Sequence, residues 1–301
     1  MTWNKNVLKE PPGNEWGGTW THKKLQAFSK YVWAYLAIMK KYNYWQTIYF
    51  DGFAGSGTRN KETKTELYKQ LSLTEDEENL YKGAAELILN TSIEHQFDFY
   101  YFIDLNESSL EKLKATLQKL DAAKNKKLVF KPGDSNQWIK ELATVMKTHP
   151  SKYASLILLD PFGMQINWES IAALKDTRSD VWILVPTGVI VNRLLDKAGK
   201  LTHLDKLQSF FGLNEEEIRS RFYKKEHKQT LFGDEEVVEK VSRPIELIAE
   251  IYIERLKTIW KEVTDKPLVL KNSMNTPIFH FVFASNNKNA VKIAKDIIKS
   301  I

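Results

Sequence analysis

A chain of 301 residues with 43% hydrophobic and 27% charged content has enough apolar side chain for a large core and the charge of an ordinary water-soluble protein. It has no cysteine, which removes disulfides, cysteine nucleophiles and cysteine metal sites, and its net charge of +6 is a mild hint at an anionic partner. No apolar run approaches the ~20 residues of a membrane-spanning helix, Met1 to Lys5 begin no signal peptide and the six histidines include no metal-binding pair, so a cytoplasmic protein without membrane or metal is expected.

Residues 22–41 put Leu25, Phe28, Tyr31, Val32, Tyr35, Leu36 and Met39 on one stripe, which predicts an amphipathic helix laid over a sheet. The first strand follows as Ile48-Tyr49-Phe50-Asp51 and runs into Gly52-Phe53-Ala54-Gly55-Ser56-Gly57-Thr58. Glycine is needed where φ turns positive or where a ligand lies against bare backbone, so this turn is the first candidate binding element. Asn60 stands where a dinucleotide fingerprint has its third glycine, and Thr58 and Arg59 stand where a triphosphate loop has its lysine. A small adenosine-bearing ligand without pyrophosphate fits better than either. Residues 59–95 then read as an insertion, with acidic Glu75 to Glu78 and a helix-like Ala84 to Leu89, placed as a lid or as a solvated loop.

Phe99 to Asp104 and Leu128 to Pro132, the latter followed by Gly133-Asp134-Ser135, are two further apolar runs closed by an acid. In an open parallel sheet ligands lie beyond the carboxyl ends of the strands, which brings Asp51, Asp104 and Asp134 to one crevice. An acid there also serves as a helix cap, most readily at Asp134. The run Ser155 to Leu159 does not alternate, as expected of a central strand buried on both faces, and Asp160-Pro161-Phe162-Gly163 gives it a rigid, extended exit. Asp180 to Val185, followed by Pro186-Thr187-Gly188, is the fifth strand.

Residues 189–263 read as a helical insertion, with helices over Asn192–Leu207, Glu215–Tyr223, Glu235–Val241 and Ile245–Trp260. Within it Arg219, Arg221, Tyr223, Lys224, Lys225, His227 and Lys228 combine cations with a ring, the composition of a nucleic-acid contact and equally of a solvated helix face. Leu268 to Leu270 and Ile278 to Phe283 close the sheet as an antiparallel hairpin, and Asn289 to Ile301 form a last helix. The fold class expected is a single α/β domain over residues 1–301, a doubly wound, mostly parallel sheet.

The segments Trp20-Thr21-His22-Lys23-Lys24-Leu25, Asp51 to Gly57, Leu159-Asp160-Pro161-Phe162-Gly163 and Phe279-His280-Phe281-Val282-Phe283-Ala284-Ser285 together resemble the three-Cys-motif partner protein family, TcmP. That family is similar to Rossmann-like S-adenosylmethionine-dependent methyltransferases, and the resemblance spans nearly the whole chain. It implies S-adenosylmethionine as cofactor, with Asp51, Gly52, Phe53, Gly55 and Gly57 around its amino-acid part, Asp104 on the ribose and Asp134 on the adenine amino group. It also implies an acceptor site at Asp160, Pro161 and Phe162, where amino-methyltransferases carry Asp-Pro-Pro-aromatic. Here the ring stands third and glycine fourth, so no acceptor atom follows. The family name further implies a partner with a three-cysteine motif, resembling radical S-adenosylmethionine proteins. Methylation of a nucleic acid, methylation of a small molecule or peptide, and a non-catalytic cofactor- or nucleic-acid-binding module all fit these residues.

Overall fold

The computed structural model of the protein describes residues 19–55, 83–91, 95–161, 163–197, 199–230 and 233–301. Gly57, Phe162 and residues 59–82 and 92–94 of the expected lid lie outside them. Five parallel strands, β1 (Gln46–Asp51), β2 (Phe99–Asp104), β3 (Leu128–Pro132), β4 (Tyr153–Leu159) and β5 (Ser179–Val185), stand in the order β3-β2-β1-β4-β5. Antiparallel β10 (Pro277–Ser285) continues from β5, and its far side pairs with β8 (Glu262–Val263) and β9 (Leu268–Lys271). The result is a doubly wound, Rossmann-like sheet of eight strands that is mostly parallel, with the expected hairpin at its antiparallel end.

The order reverses between β1 and β4, so the connections after these two strands leave in opposite directions and open a crevice at their carboxyl ends. Apolar packing explains why β4 shows no alternation: it is buried from Ala154 to Leu159 because both faces are covered. On one face α1 (Thr19–Met39) packs Phe28, Tyr31 and Val32 with Tyr49, Leu158, Trp182 and Phe281. On the other, α4 (Ser135–Thr148), introduced after α2 (Gly83–Thr91) and α3 (Glu107–Leu117), joins α5 (Trp168–Ala173) over Phe50, Ile157 and Ile183. The stripe predicted for the first helix is the face that meets the sheet.

Two expectations are corrected. The described part of the presumed lid, α2, is a packed crossover helix, because Ala85, Ile88 and Leu89 are buried in the same core as α1. The insertion after β5 is not wholly helical. It holds a π-helical turn (Thr187–Val191), α6 (Leu204–Phe211), α7 (Glu215–Phe222) and α8 (Pro244–Leu256), but between α7 and α8 runs a hairpin of β6 (Tyr223–Thr230) and β7 (Gly233–Lys240). Glu235–Val241, expected as a helix, is therefore mostly strand. Its Glu- and Lys-rich sequence has good helix formers and no apolar alternation, whereas the pairing sets Lys224 opposite Glu239 and Lys228 opposite Glu235, a cross-strand pattern legible only once the two segments meet. The last helix, α9 (Lys288–Lys299), matches its expected place. Among the described residues no helix is long and apolar enough to cross a membrane.

Gly188 fixes how the insertion leaves β5. A Cβ built there lies 2.1 Å from the Pro277 carbonyl oxygen and 2.8 Å from Ile278 Cα, both backbone atoms of β10 that no rotamer change can move. Gly188→Ala is therefore expected to destabilise the fold by about 1–3 kcal/mol, the scale of overpacking, in urea unfolding followed by tryptophan fluorescence. A loss below ~0.5 kcal/mol would show that β10 yields at this point.

Candidate functional site

The turn after β1 is assembled by its neighbours. Gly52 N donates to Leu158 O at 3.0 Å and Ala54 N to Ile103 O at 2.8 Å, so β4 and β2 hold the chain from both sides. Asp104, the last residue of β2, reaches across: its Oδ2 accepts from Gly55 N at 2.9 Å and its Oδ1 from Asn106 N at 2.8 Å. Gly55 has φ +64°, and no atom among the described residues lies within 4 Å of where its Cβ would stand. A bare backbone edge thus meets open space beside a carboxylate that still has lone pairs to offer, which fits a hydroxyl-bearing ligand. Leu105, next in the chain, is 80% exposed, a large apolar side chain at the rim of the same crevice.

Gly52 has another job. Its Cβ would lie 2.8 Å from both Leu159 Cδ2 and Ser135 Oγ, and Ser135 donates a short hydrogen bond to the Gly52 carbonyl, so this position is taken by packing between β4 and α4. Phe53 presents its amide to Asp51 at 3.1 Å, and its half-buried ring packs against the core on the α4 side. Asp134 caps α4: its Oδ1 accepts from Asn136 N at 2.9 Å and Asn136 Nδ2 at 3.0 Å. It remains exposed at the end of β3, on the crevice side. The helix-cap alternative is thus realised without removing Asp134 from the crevice.

The most consequential feature was not singled out from the sequence. Lys24 of α1 forms a buried ion pair with Asp160 at 2.5 Å, their side chains only 3% and 6% exposed. The available signal was Lys24's place on the apolar stripe, four residues before Phe28 and seven before Tyr31, where a lysine needs an acid. Beside this pair, at the end of β1, sits Asp51, 2% exposed, accepting from Tyr49 Oη at 3.2 Å. Burial pushes the Asp51 carboxyl up to about 7; the Phe53 amide, Tyr49 and Lys24 pull it down, while the charge of Asp160 pushes it further up. Two carboxylates and one ammonium therefore share a dry corner where β1, β4 and α1 meet. In the first turns of α1, Trp20 Nε1 and Thr21 Oγ1 are buried with no hydrogen-bond partner among the described residues, and the Trp20 ring lies 5.4 Å from that of Phe279.

Around the exit of β4, Asn136 acts as a clasp. Its Nδ2 donates to Gln165 O at 2.7 Å, and its Oδ1 accepts from Asn167 N at 2.8 Å and Ser170 Oγ at 3.0 Å, while Gly163 N donates to Gln165 Oε1 at 2.7 Å. The loop carrying Pro161 is thus tied to the helix that Asp134 caps. At the carboxyl end of β5, Thr187 Oγ1 and His280 Nδ1 are 2.7 Å apart, and burial lowers the His280 pKa to about 4, so the ring is neutral and pins the π-helical turn to β10.

The cationic stretch is a different matter. Tyr223, expected to stack on a base, is 8% exposed and donates to Asp196 O at 2.9 Å. Arg219 pairs with Glu215 at 2.7 Å and donates to Gly199 O, and Arg221 makes a two-pronged pair with Glu254 at 2.7 and 2.8 Å. All three residues thus have partners within the protein, the two arginine pairs on its surface and Tyr223 buried. Lys224 and Lys225 are exposed, with the acidic strand β7 alongside, and the Lys228 side chain is outside the described residues.

No family model matches the chain, and no curated protein sequence matches it. Among solved structures it is similar to Trm1 from Pyrococcus horikoshii in complex with S-adenosyl-L-methionine, at 13% identity and a TM-score of 0.38 over 90% of this chain, which spans 57% of the length of Trm1. It is also similar to LPL1258 from Legionella pneumophila, assigned to the family model DUF519, at 17% identity and a TM-score of 0.34, covering 88% of this chain and 98% of that one. Likenesses at these scores say nothing of substrate or reaction.

Two expectations follow from the buried corner. Lys24→Met leaves the Asp160 charge without its buried partner and should cost about 3–5 kcal/mol in urea unfolding, whereas Lys24→Met with Asp160→Leu, which removes both charges, should recover most of that loss. Equal losses in the single and double variants would mean that the pair's charges do not govern this corner. For Asp51 the folded pKa lies above that of the unfolded chain, so folding favours the protonated form and its penalty grows as pH rises from about 4 through 7. Asp51→Asn should therefore gain on the wild type with rising pH, by up to about 4 kcal/mol above pH 7, and show no such gain near pH 4. A difference independent of pH would place the Asp51 carboxyl in water.

Proposed function

We propose that this chain binds S-adenosylmethionine at the carboxyl ends of β1, β2 and β3 and is a methyltransferase-like protein with its acceptor site at the exit of β4. The observation that carries this reading is the Asp104–Gly55 hydrogen bond, which brings the expected ribose acid and the start of the expected glycine turn to one point, with no atom of the described residues within 4 Å of the Gly55 Cβ position. Asp104 would receive the ribose hydroxyls, Leu105 would lie against the adenine ring, and Asp134 would accept from the adenine amino group. The ammonium of the ligand's amino-acid part suits Asp51, since it brings a positive charge to a corner with two carboxylates and one lysine.

When bound, S-adenosylmethionine supplies an electrophilic methyl group. The chain's own contribution is alignment: Pro161 stiffens the loop that Asn136 clasps, and Trp20 and Thr21 hold buried, unpartnered polar atoms at the same end of the sheet, ready for an acceptor's acceptor or donor atoms. The leading acceptor is a nucleic acid, as the likeness of Asp160-Pro161-Phe162 to the amino-methyltransferase signature and the positive net charge suggest, with a three-cysteine-motif protein as companion, as the resemblance to the TcmP family implies. A second reading has a specific observation in its favour. The Asp160 carboxylate is already held by Lys24, an arrangement that suits a module which binds the cofactor for a partner without transferring its methyl group.

Calorimetry with S-adenosylmethionine and S-adenosylhomocysteine, followed by a labelled-methyl assay on total RNA and DNA, tests both readings. Asp104→Ala should weaken cofactor binding by about 1–3 kcal/mol, the cost of a lost charged acceptor. No binding by wild type at millimolar ligand ends the proposal, and binding without transfer to any acceptor selects the second reading.

A further inference from the structure

The chain's positive charge is concentrated where no site was expected. Between Glu111 and Lys131 stand seven lysines (112, 114, 119, 124, 126, 127 and 131) against two acids, Glu111 and Asp121, so this segment carries five of the six excess charges of the whole protein. It spans the end of α3, the 3-10 turn Asp121–Ala123 and β3, the edge strand of the sheet. Here a groove of about 250 Å³ is lined by Lys114, Lys124 and Lys126 together with Leu128 and Phe130. On the groove's side of β3, Lys126 Nζ lies 5.5 Å from the buried Tyr100 ring; on the opposite face of the same edge, Lys127 Nζ lies 5.0 Å from the Phe99 ring and Lys131 Nζ 5.1 Å from that of Trp138.

We infer that this edge, from Lys112 to Lys131, is a polyanion-binding surface that grips the phosphate backbone of a nucleic acid several nucleotides away from the acceptor site. The inference rests on the nucleic-acid reading of the acceptor and places the main anchor here rather than at residues 219–228, where Tyr223 is buried and the acidic strand β7 runs beside Lys224 and Lys225. The segment's own two acids do not balance its seven lysines: Asp121 pairs with Lys124 at 2.7 Å and Glu111 with Lys114 at 3.5 Å, both on the surface, where such pairs contribute little. Lys126 donates to Leu89 O at 2.8 Å; burial lowers its pKa to about 8, and a phosphate beside it would raise it again.

A lipid surface suits the segment poorly, because interfacial binding needs apolar side chains to insert and no exposed large hydrophobic residue lies between positions 111 and 131. Geometry suits a nucleic acid. Edge strand β3 is three strands from β4, about 14 Å across the sheet, and the groove lies near its amino end, about 15 Å down the strands from the acceptor exit. The separation of roughly 20 Å corresponds to about six base pairs of duplex, close enough for one molecule to reach both places.

Edge-strand lysines also guard against pairing between sheets, so the test must read phosphate contacts directly. Anisotropy titrations of a labelled RNA hairpin and a labelled DNA duplex, repeated over a range of NaCl, give the salt slope for wild type and for Lys112→Gln/Lys114→Gln/Lys124→Gln/Lys127→Gln. The quadruple variant should lose at least about tenfold in affinity near 0.1 M salt and about 3 units of log–log slope. Lys224→Gln/Lys225→Gln should leave both nearly unchanged. An unchanged slope in the quadruple variant, an equal loss in the double variant, or wild-type binding to phosphatidylserine vesicles but to neither nucleic acid would each overturn the inference. Calorimetry with S-adenosylmethionine on the same proteins separates the two proposals: cofactor binding with an unchanged salt slope removes the anchor alone, and a reduced slope without cofactor binding leaves the anchor standing while the cofactor site falls.

Discussion

The Lys24–Asp160 ion pair is the constraint around which the candidate site is built. Burying two charges costs several kcal/mol per ion, and only close geometry and further hydrogen bonds offset that cost. The pair therefore dictates where the first turns of α1 lie relative to the exit of β4, and with them Trp20 and Thr21. It also bears on the electrostatics of its neighbour. Burial pushes the Asp51 carboxyl up to about 7, and the charge of Asp160 adds to this while Lys24 opposes it only weakly.

That imbalance links packing to function. A corner carrying two acids and one base is strained when both acids are ionised and relaxed by a cation, so the same burial that lowers stability raises affinity for a positively charged ligand. On the other side of the turn the logic is different. Asp104 is only partly buried and accepts from two backbone amides, Gly55 N and Asn106 N, at the end of β2. One crevice thus holds one buried acid and one partly exposed acid.

Charge on the surface follows a related rule: what matters is how much of it the fold leaves unspent. Arg219 and Arg221 sit in a cationic stretch, but α7 and α8 supply Glu215 and Glu254, and the hairpin sets an acidic strand beside a basic one. Around the sheet edge at β3 the segment itself supplies two acids for seven lysines, so most of its charge is balanced by no acid of its own, whereas β7 sets Glu235 and Glu239 opposite Lys228 and Lys224.

Much of this was legible in the sequence. Apolar runs ending in acids marked β1 to β5, the absence of alternation marked β4 as central, and the helical stripe of residues 22–41 marked the face of α1, because these signals depend only on residues near one another in the chain. The fate of Glu235–Val241 was not legible, since a strand of charged residues is stabilised by what lies across from it. For the same reason the packing of Gly52 against Ser135 and Leu159 was not legible along the chain. Lys24 and Asp160 are separated by 136 positions, and Asn136 and Gln165 by 29. The sequence by itself determined which residues could be acidic, bare or buried at the ends of the strands; only the tertiary structure decided which charges were already paired, because pairing is a matter of distance in space and desolvation, and neither is written along the chain.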